Sequence, residues 1–68
     1  METFACWYGL LKYLEEHNNM VYYKAPLDNY PVPVVVTKVF KNEKLRIQFL
    51  NKSFTADPGH LGRFLWKV

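Results

Sequence analysis

The chain has 68 residues, a length that suits one domain and hides only roughly 60% of the surface that the unfolded chain would expose. Half of its residues are hydrophobic and 18% are aromatic, so a compact core can form without covalent cross-links. The single cysteine, Cys6, excludes an internal disulfide, which in so small a chain indicates a reducing, cytoplasmic location. A net charge of +3 is compatible with an acidic partner but does not require one.

The amino-terminal stretch METFACWYGLLKYLEEH shows no sign of targeting. It lacks the basic start and the small-residue cleavage site of a secretion signal. No run in the sequence approaches the roughly 20 apolar residues of a membrane span. We therefore expect an untargeted protein that contacts no membrane.

Residues 1–18 are predicted to form an amphipathic helix. Thr3 can serve as its N-cap, and Asn18 with Asn19 tolerates the left-handed backbone that commonly closes a helix. Gly9 is the weak point, because glycine costs about 1 kcal/mol relative to alanine in a helix. A small residue there would let a strand or a partner approach closely. The apolar residues that recur at helical spacing are Phe4, Trp7, Tyr8, Leu10, Leu11, Tyr13 and Leu14.

After the asparagines the pattern changes to the β-branched and aromatic residues that favour strands. Residues 26–33 hold three prolines and are predicted to form a long loop after the first strand. The short polar turn before Leu45 predicts an antiparallel hairpin between the second and third strands. The predicted strands are 20–25, 34–41, 44–50, 53–56 and 63–67.

Alternation in the third predicted strand separates a buried face from a wet face. The second is less regular, because its valines at 34–36 occupy both faces, so either the helix or a partner is expected to cover its outer side. The candidates for the core are Leu45, Ile47, Phe49, Leu61, Phe64 and Trp66.

The stretch FTADPGHLGRFLW is interpreted as a connector between the last two strands. The order of elements resembles that of small β-barrels, and this resemblance implies that Asp57 caps one turn of 3-10 helix, that Pro58 occupies its first position and that Leu61 plugs the barrel end. Ser53, Asp57 and His60 contain the chemical types of a hydrolytic triad, but they lie too close along a strand and a tight turn to orient one another as a triad requires. We expect no catalysis.

The order of elements from Met20 to Val68 resembles small barrels of the Src-homology-three and Tudor type. The shared features are five short strands, a long loop after the first, tight turns after the second and third, and one helical turn before the last. The resemblance implies an α+β, mainly β fold in a single domain over 1–68: an amino-terminal helix, then a five-stranded antiparallel Src-homology-three-like barrel over 20–68. The phrases KAPLD, FTAD, GHL and RF are also similar to those of small phage and mobile-element proteins.

No cofactor or metal is expected. Cys6, His17 and His60 are widely spaced and form no pattern of zinc ligands. Gly59 and Gly62 lack the lysine and the strand-to-helix context of a phosphate-binding loop.

Binding is the remaining role, and nucleic acid is the leading partner. Cations near the central hairpin, flanked by tyrosines, suit phosphates and bases; alternatively they are ordinary solubilising charges that also discourage aggregation. The residues predicted to contact nucleic acid or another partner are Lys38, Lys41, Lys44, Arg46, Tyr22 and Tyr30.

Protein recognition is the competing hypothesis. The stiff loop over 26–33 carries Tyr30 between prolines and would lose little freedom on binding. The likeness to phage proteins implies a host or defence complex as the target, which the chain would inhibit as anti-CRISPR proteins do. The apolar helix leaves two states open, a monomer or a homodimer joined through it.

Overall fold

Six strands and one helix make up the computed structural model, which describes residues 2–67. In chain order they are β1 Glu2–Thr3, α1 Trp7–Glu16, β2 Met20–Tyr23, β3 Val32–Val39, β4 Leu45–Phe49, β5 Lys52–Ala56 and β6 Phe64–Lys67. Two 3-10 turns, Lys41–Glu43 and Pro58–Arg63, precede β4 and β6.

The strands form one antiparallel sheet in the order β1-β6-β2-β3-β4-β5. Within residues 2–67 no ladder joins β1 to β5, so the sheet is open. The prediction of a mainly β antiparallel fold with one amino-terminal helix is confirmed. The prediction of five strands is wrong, because Glu2 and Thr3 pair with Lys67 and Leu65 and add a sixth strand at one edge.

The helix is shorter than predicted at its start. It begins at Trp7 with Cys6 as N-cap, and Thr3 is not the cap because its backbone belongs to β1. Its end is as predicted: Asn18 and Asn19 adopt φ values of 56° and 62°. The Asn19 N–H donates to the Leu14 carbonyl at 2.8 Å, which closes the last turn.

The helix covers one face of its own sheet. Trp7 lies edge-on to Phe64 with ring centroids 5.9 Å apart, and its indole N–H donates to the Pro58 carbonyl at 3.2 Å. The core cluster of buried side chains consists of Trp7, Leu10, Leu14, Val21, Tyr23, Val34, Val36, Leu45, Ile47, Ala56 and Phe64. Of the two candidates for covering the outer side of the valine strand, the helix does not do so, since Val34 and Val36 face α1 whereas Val35 is 41% exposed; a partner remains a prediction.

Most of the predicted core is confirmed. Leu45, Ile47 and Phe64 are fully buried, and Phe49 and Leu61 pack against them. Trp66 is the exception, with 43% of its surface exposed. It lines an open groove together with Gly9, Lys12 and Tyr13 of α1, and this groove leaves part of the indole in contact with solvent.

The predicted connector is confirmed as a 3-10 turn over Pro58–Arg63 with Asp57 as N-cap. The Asp57 N–H donates to Nδ1 of His60 at 3.2 Å, so the imidazole closes this turn. The loop before β3 is shorter than predicted, because Val32 and Pro33 already pair with Tyr23 and Tyr22. Proline is tolerated there because β4 pairs with β3 only from Val35 onward.

Candidate nucleic-acid interface

The sheet has an exposed face on the side away from α1, which we call the outer face. Side chains alternate along each strand, so Leu45 and Ile47 point into the core while Arg46 and Gln48 point outward. On β5 the outward neighbours are Thr55, opposite Arg46, and Ser53, opposite Gln48.

A β-bulge at Thr37 places Lys38 on this face. Val36 pairs with Ile47 and Lys38 pairs with Arg46, so two steps along β3 correspond to one step along β4. Without the extra residue, Lys38 would share the inward parity of Val36. The Thr37 hydroxyl donates to the Arg46 carbonyl at 3.3 Å and holds the bulge.

The outer face has a basic end, formed by Lys38, Lys44 and Arg46. Lys38 and Arg46 are direct cross-strand partners, and the Lys38 Nζ lies 4.9 Å from the centroid of the Phe40 ring. Lys44 Nζ lies 4.0 Å from an Asp57 carboxylate oxygen, with both side chains about half exposed. Among residues 2–67 this is the one ion pair of the basic end, so Asp57 offsets only part of its charge.

The outer face also has an apolar end, formed by Met20, Tyr22, Pro33 and Val35. Met20 lies opposite Val35, and Tyr22 lies opposite Pro33. Met20 and Tyr22 are 49% and 40% exposed. The sequence predicted Tyr22 as a contact residue and did not single out the other three. The run Val34–Val36 indicated an exposed apolar side chain, because alternation along a strand makes Val35 face away from Val34 and Val36.

Two further predicted residues lie outside the outer face. Lys41 is exposed in the turn Lys41–Glu43, next to the basic end, where Asn42 has a φ of 67°. Tyr30 lies in the loop between β2 and β3 and lines a different surface. The structure therefore brings Lys38, Lys44, Arg46 and Tyr22 onto one face and separates Tyr30 from them.

The surface around Tyr30 is a cavity of about 450 Å³ under the β2–β3 loop, which we call the loop cavity. Inward-facing rings line it: Phe49, Phe54 and the buried Tyr23, which lies 5.4 Å from Phe54 between ring centroids. Asp28 is the one charged residue in its lining. The loop cavity is thus an aromatic pocket with an acidic rim.

Comparison of the chain with models of protein families, with curated proteins and with solved structures finds no match. In the part of the chain that the structure describes, no three His, Cys, Asp or Glu residues are grouped so that they could hold a metal ion. The single helix of that part, Trp7–Glu16, is too short to cross a membrane.

Proposed function

We propose that the chain is a non-enzymatic binding module that contacts nucleic acid through its outer face. We further propose that its architecture is an opened version of the Src-homology-three-like barrel with β1 as an added edge strand. A long loop after β2, tight turns after β3 and β4, and a helical turn before β6 support the architecture.

The opposition of Lys38 and Arg46 is the observation that carries the functional proposal. Like charges directly opposite one another on neighbouring strands destabilise a sheet. A bulge, stabilised by the Thr37 hydroxyl, creates this opposition. Charges that served only solubility would not need such an arrangement, whereas a bound phosphate would relieve the repulsion and contact both cations.

Replacing Arg46 with glutamine tests the proposal. Removing one phosphate contact should weaken binding to a labelled oligonucleotide and flatten the plot of log affinity against log salt concentration by about 0.7 to 0.9. Fluorescence anisotropy at several salt concentrations measures both quantities.

Lys12→Gln is the matched control, because it removes the same charge from α1 on the other side of the sheet. We expect it to leave the slope nearly unchanged. If the two substitutions had equal effects, binding would depend on the net charge of the protein and not on the outer face. Absence of binding at about 50 mM salt would eliminate the proposal, because non-specific binding is strongest at low salt.

The loop cavity supports a second candidate, recognition of a protein such as a host or defence complex. Its aromatic lining would accept one apolar side chain of a partner, and Pro26 and Pro31 stiffen the loop around Tyr30. A pull-down from nuclease-treated host lysate tests this candidate. A specific protein should be retained by Tyr8→Ala and lost by Tyr30→Ala; the two tyrosines are matched in exposure, at 76% and 75%.

A further inference from the structure

The outer face is divided between a basic end and an apolar end, and we infer that its ligand is a single strand of nucleic acid. Its phosphates contact Lys38 and Arg46, and its unstacked bases lie on Tyr22 and the neighbouring apolar side chains. This inference rests on the proposed function and specifies its substrate class.

The apolar end is continuous and partly exposed, and Met20, Tyr22 and Pro33 border a groove whose other wall includes Tyr13, Glu16 and His17 at the end of α1. Register partners join Met20 to Val35 and Tyr22 to Pro33, and β2 and β3 are adjacent strands. The core cluster contains none of these four side chains. Exposed apolar patches of this kind mark surfaces that bind, and every nucleobase offers a flat apolar face to an aromatic ring.

A duplex fits this face poorly. The bases of a duplex are stacked inside and its phosphates line the outside. The apolar end would therefore contact charged phosphates and no bases. Entry into a groove is also unfavourable. The outer face extends from β2 to β5, which at about 4.8 Å per strand spacing is about 14 Å between the outermost backbones. The major groove is only about 12 Å wide and admits a two-stranded ribbon.

Gln48 lies between the two ends, and Ser53 and Thr55 flank it on β5, the edge strand beyond β4. Gln48 is the partner of Val35 on one side and of Ser53 on the other, and Thr55 is the partner of Arg46. These groups can hydrogen-bond to base edges and sugars. A strand that runs from Arg46 on β4 to β2 would thus meet the cations first, then the Gln48 amide, and then the Tyr22 ring.

Three labelled probes of equal length test the inference by fluorescence anisotropy. They are oligo-dT of about 10 nucleotides, the same backbone without bases, and a blunt duplex. The oligo-dT should bind at least about tenfold more tightly than the abasic strand, the effect of losing one stacked base. The duplex should also bind more weakly than the oligo-dT.

Single substitutions test which part of the strand, bases or phosphates, contacts each end of the outer face. Tyr22→Ala should weaken oligo-dT binding about tenfold without changing binding of the abasic strand, and Tyr22→Phe should restore it. Arg46→Gln should weaken both probes. Tyr8→Ala, on the exposed side of α1, should change neither.

Two outcomes would overturn the inference while the proposed function stands. One is a duplex that binds as tightly as oligo-dT, and the other is a Tyr22→Ala effect that is equal on the oligo-dT and the abasic strand. If no probe binds at low salt, the proposed function fails and the inference fails with it.

Discussion

Two aromatic side chains of β6 have different surroundings although they lie on the same side of the strand. Phe64 is fully buried, and its ring is 5.0 Å from that of Tyr23 and 5.9 Å from that of Trp7. Trp66 lies beyond the end of this cluster and leaves 43% of its surface exposed. The stability of the chain should therefore depend far more on Phe64.

Alanine substitutions should separate the two rings. Phe64→Ala is expected to cost about 3 to 5 kcal/mol, a large part of the about 5 to 15 kcal/mol that a domain possesses. Trp66→Ala should cost about half as much, because about half of the indole already contacts water. Urea denaturation followed by circular dichroism measures both. Equal costs would mean that Trp66 is buried.

The sequence could not distinguish these two residues. Alternation along a strand predicts which way a side chain points, and it correctly gave Phe64 and Trp66 the same direction. What covers each side chain is decided by residues distant in sequence: Trp7 and Tyr23 pack against Phe64, whereas Trp66 borders an open groove that it shares with Gly9, Lys12 and Tyr13.

At the level of elements, α1 has space for a larger side chain at Gly9. A Cβ added to Gly9 would meet only the Cys6 Sγ, at 3.9 Å, which is an ordinary van der Waals distance. The prediction that this glycine permits a close approach of a strand or partner is therefore wrong for the strands that the structure describes. Gly9 carries a cost in helix propensity without a packing contact that requires it.

Gly9→Ala should accordingly stabilise the protein by up to about 1 kcal/mol. For a domain of this size the midpoint of thermal unfolding should rise by about 4 to 8 °C. Differential scanning calorimetry measures the shift. A lower midpoint would show that the methyl group disturbs the groove that Gly9 shares with Trp66.

Elements with a clear period were predictable, and those without one were not. The helix, the β3–β4 hairpin and the Pro58–Arg63 turn each show a pattern in a few consecutive residues. The strand β1 has only two residues and no period, so its pairing with β6 decides its existence. The bulge at Thr37 likewise depends on the register with β4, and the valine run indicated an irregularity without locating it.

In the molecule as a whole, the two sides of the sheet have different surroundings. One side packs against α1, whose Trp7, Leu10 and Leu14 are buried in the core of the same chain. A monomer is therefore our expectation for the oligomeric state, since the helix has already buried the side chains that would join two copies. The other side is the outer face, which the sequence predicted in part through its lysines. Its apolar end was indicated only by Tyr22 and the valine run, because the four side chains come together only where β2 and β3 lie side by side.

The pairing of β1 with β6 also determines where the two ends of the described chain meet. Glu2 and Lys67 are register partners, which in an antiparallel ladder means α-carbons about 5 Å apart. A linker of a few residues would span that gap and yield a circular permutant, reopened at the exposed Leu50, which has a φ of 55° and 77% exposure. Relocating the termini in this way would move any attached label from the β1 edge of the sheet to the β4–β5 turn.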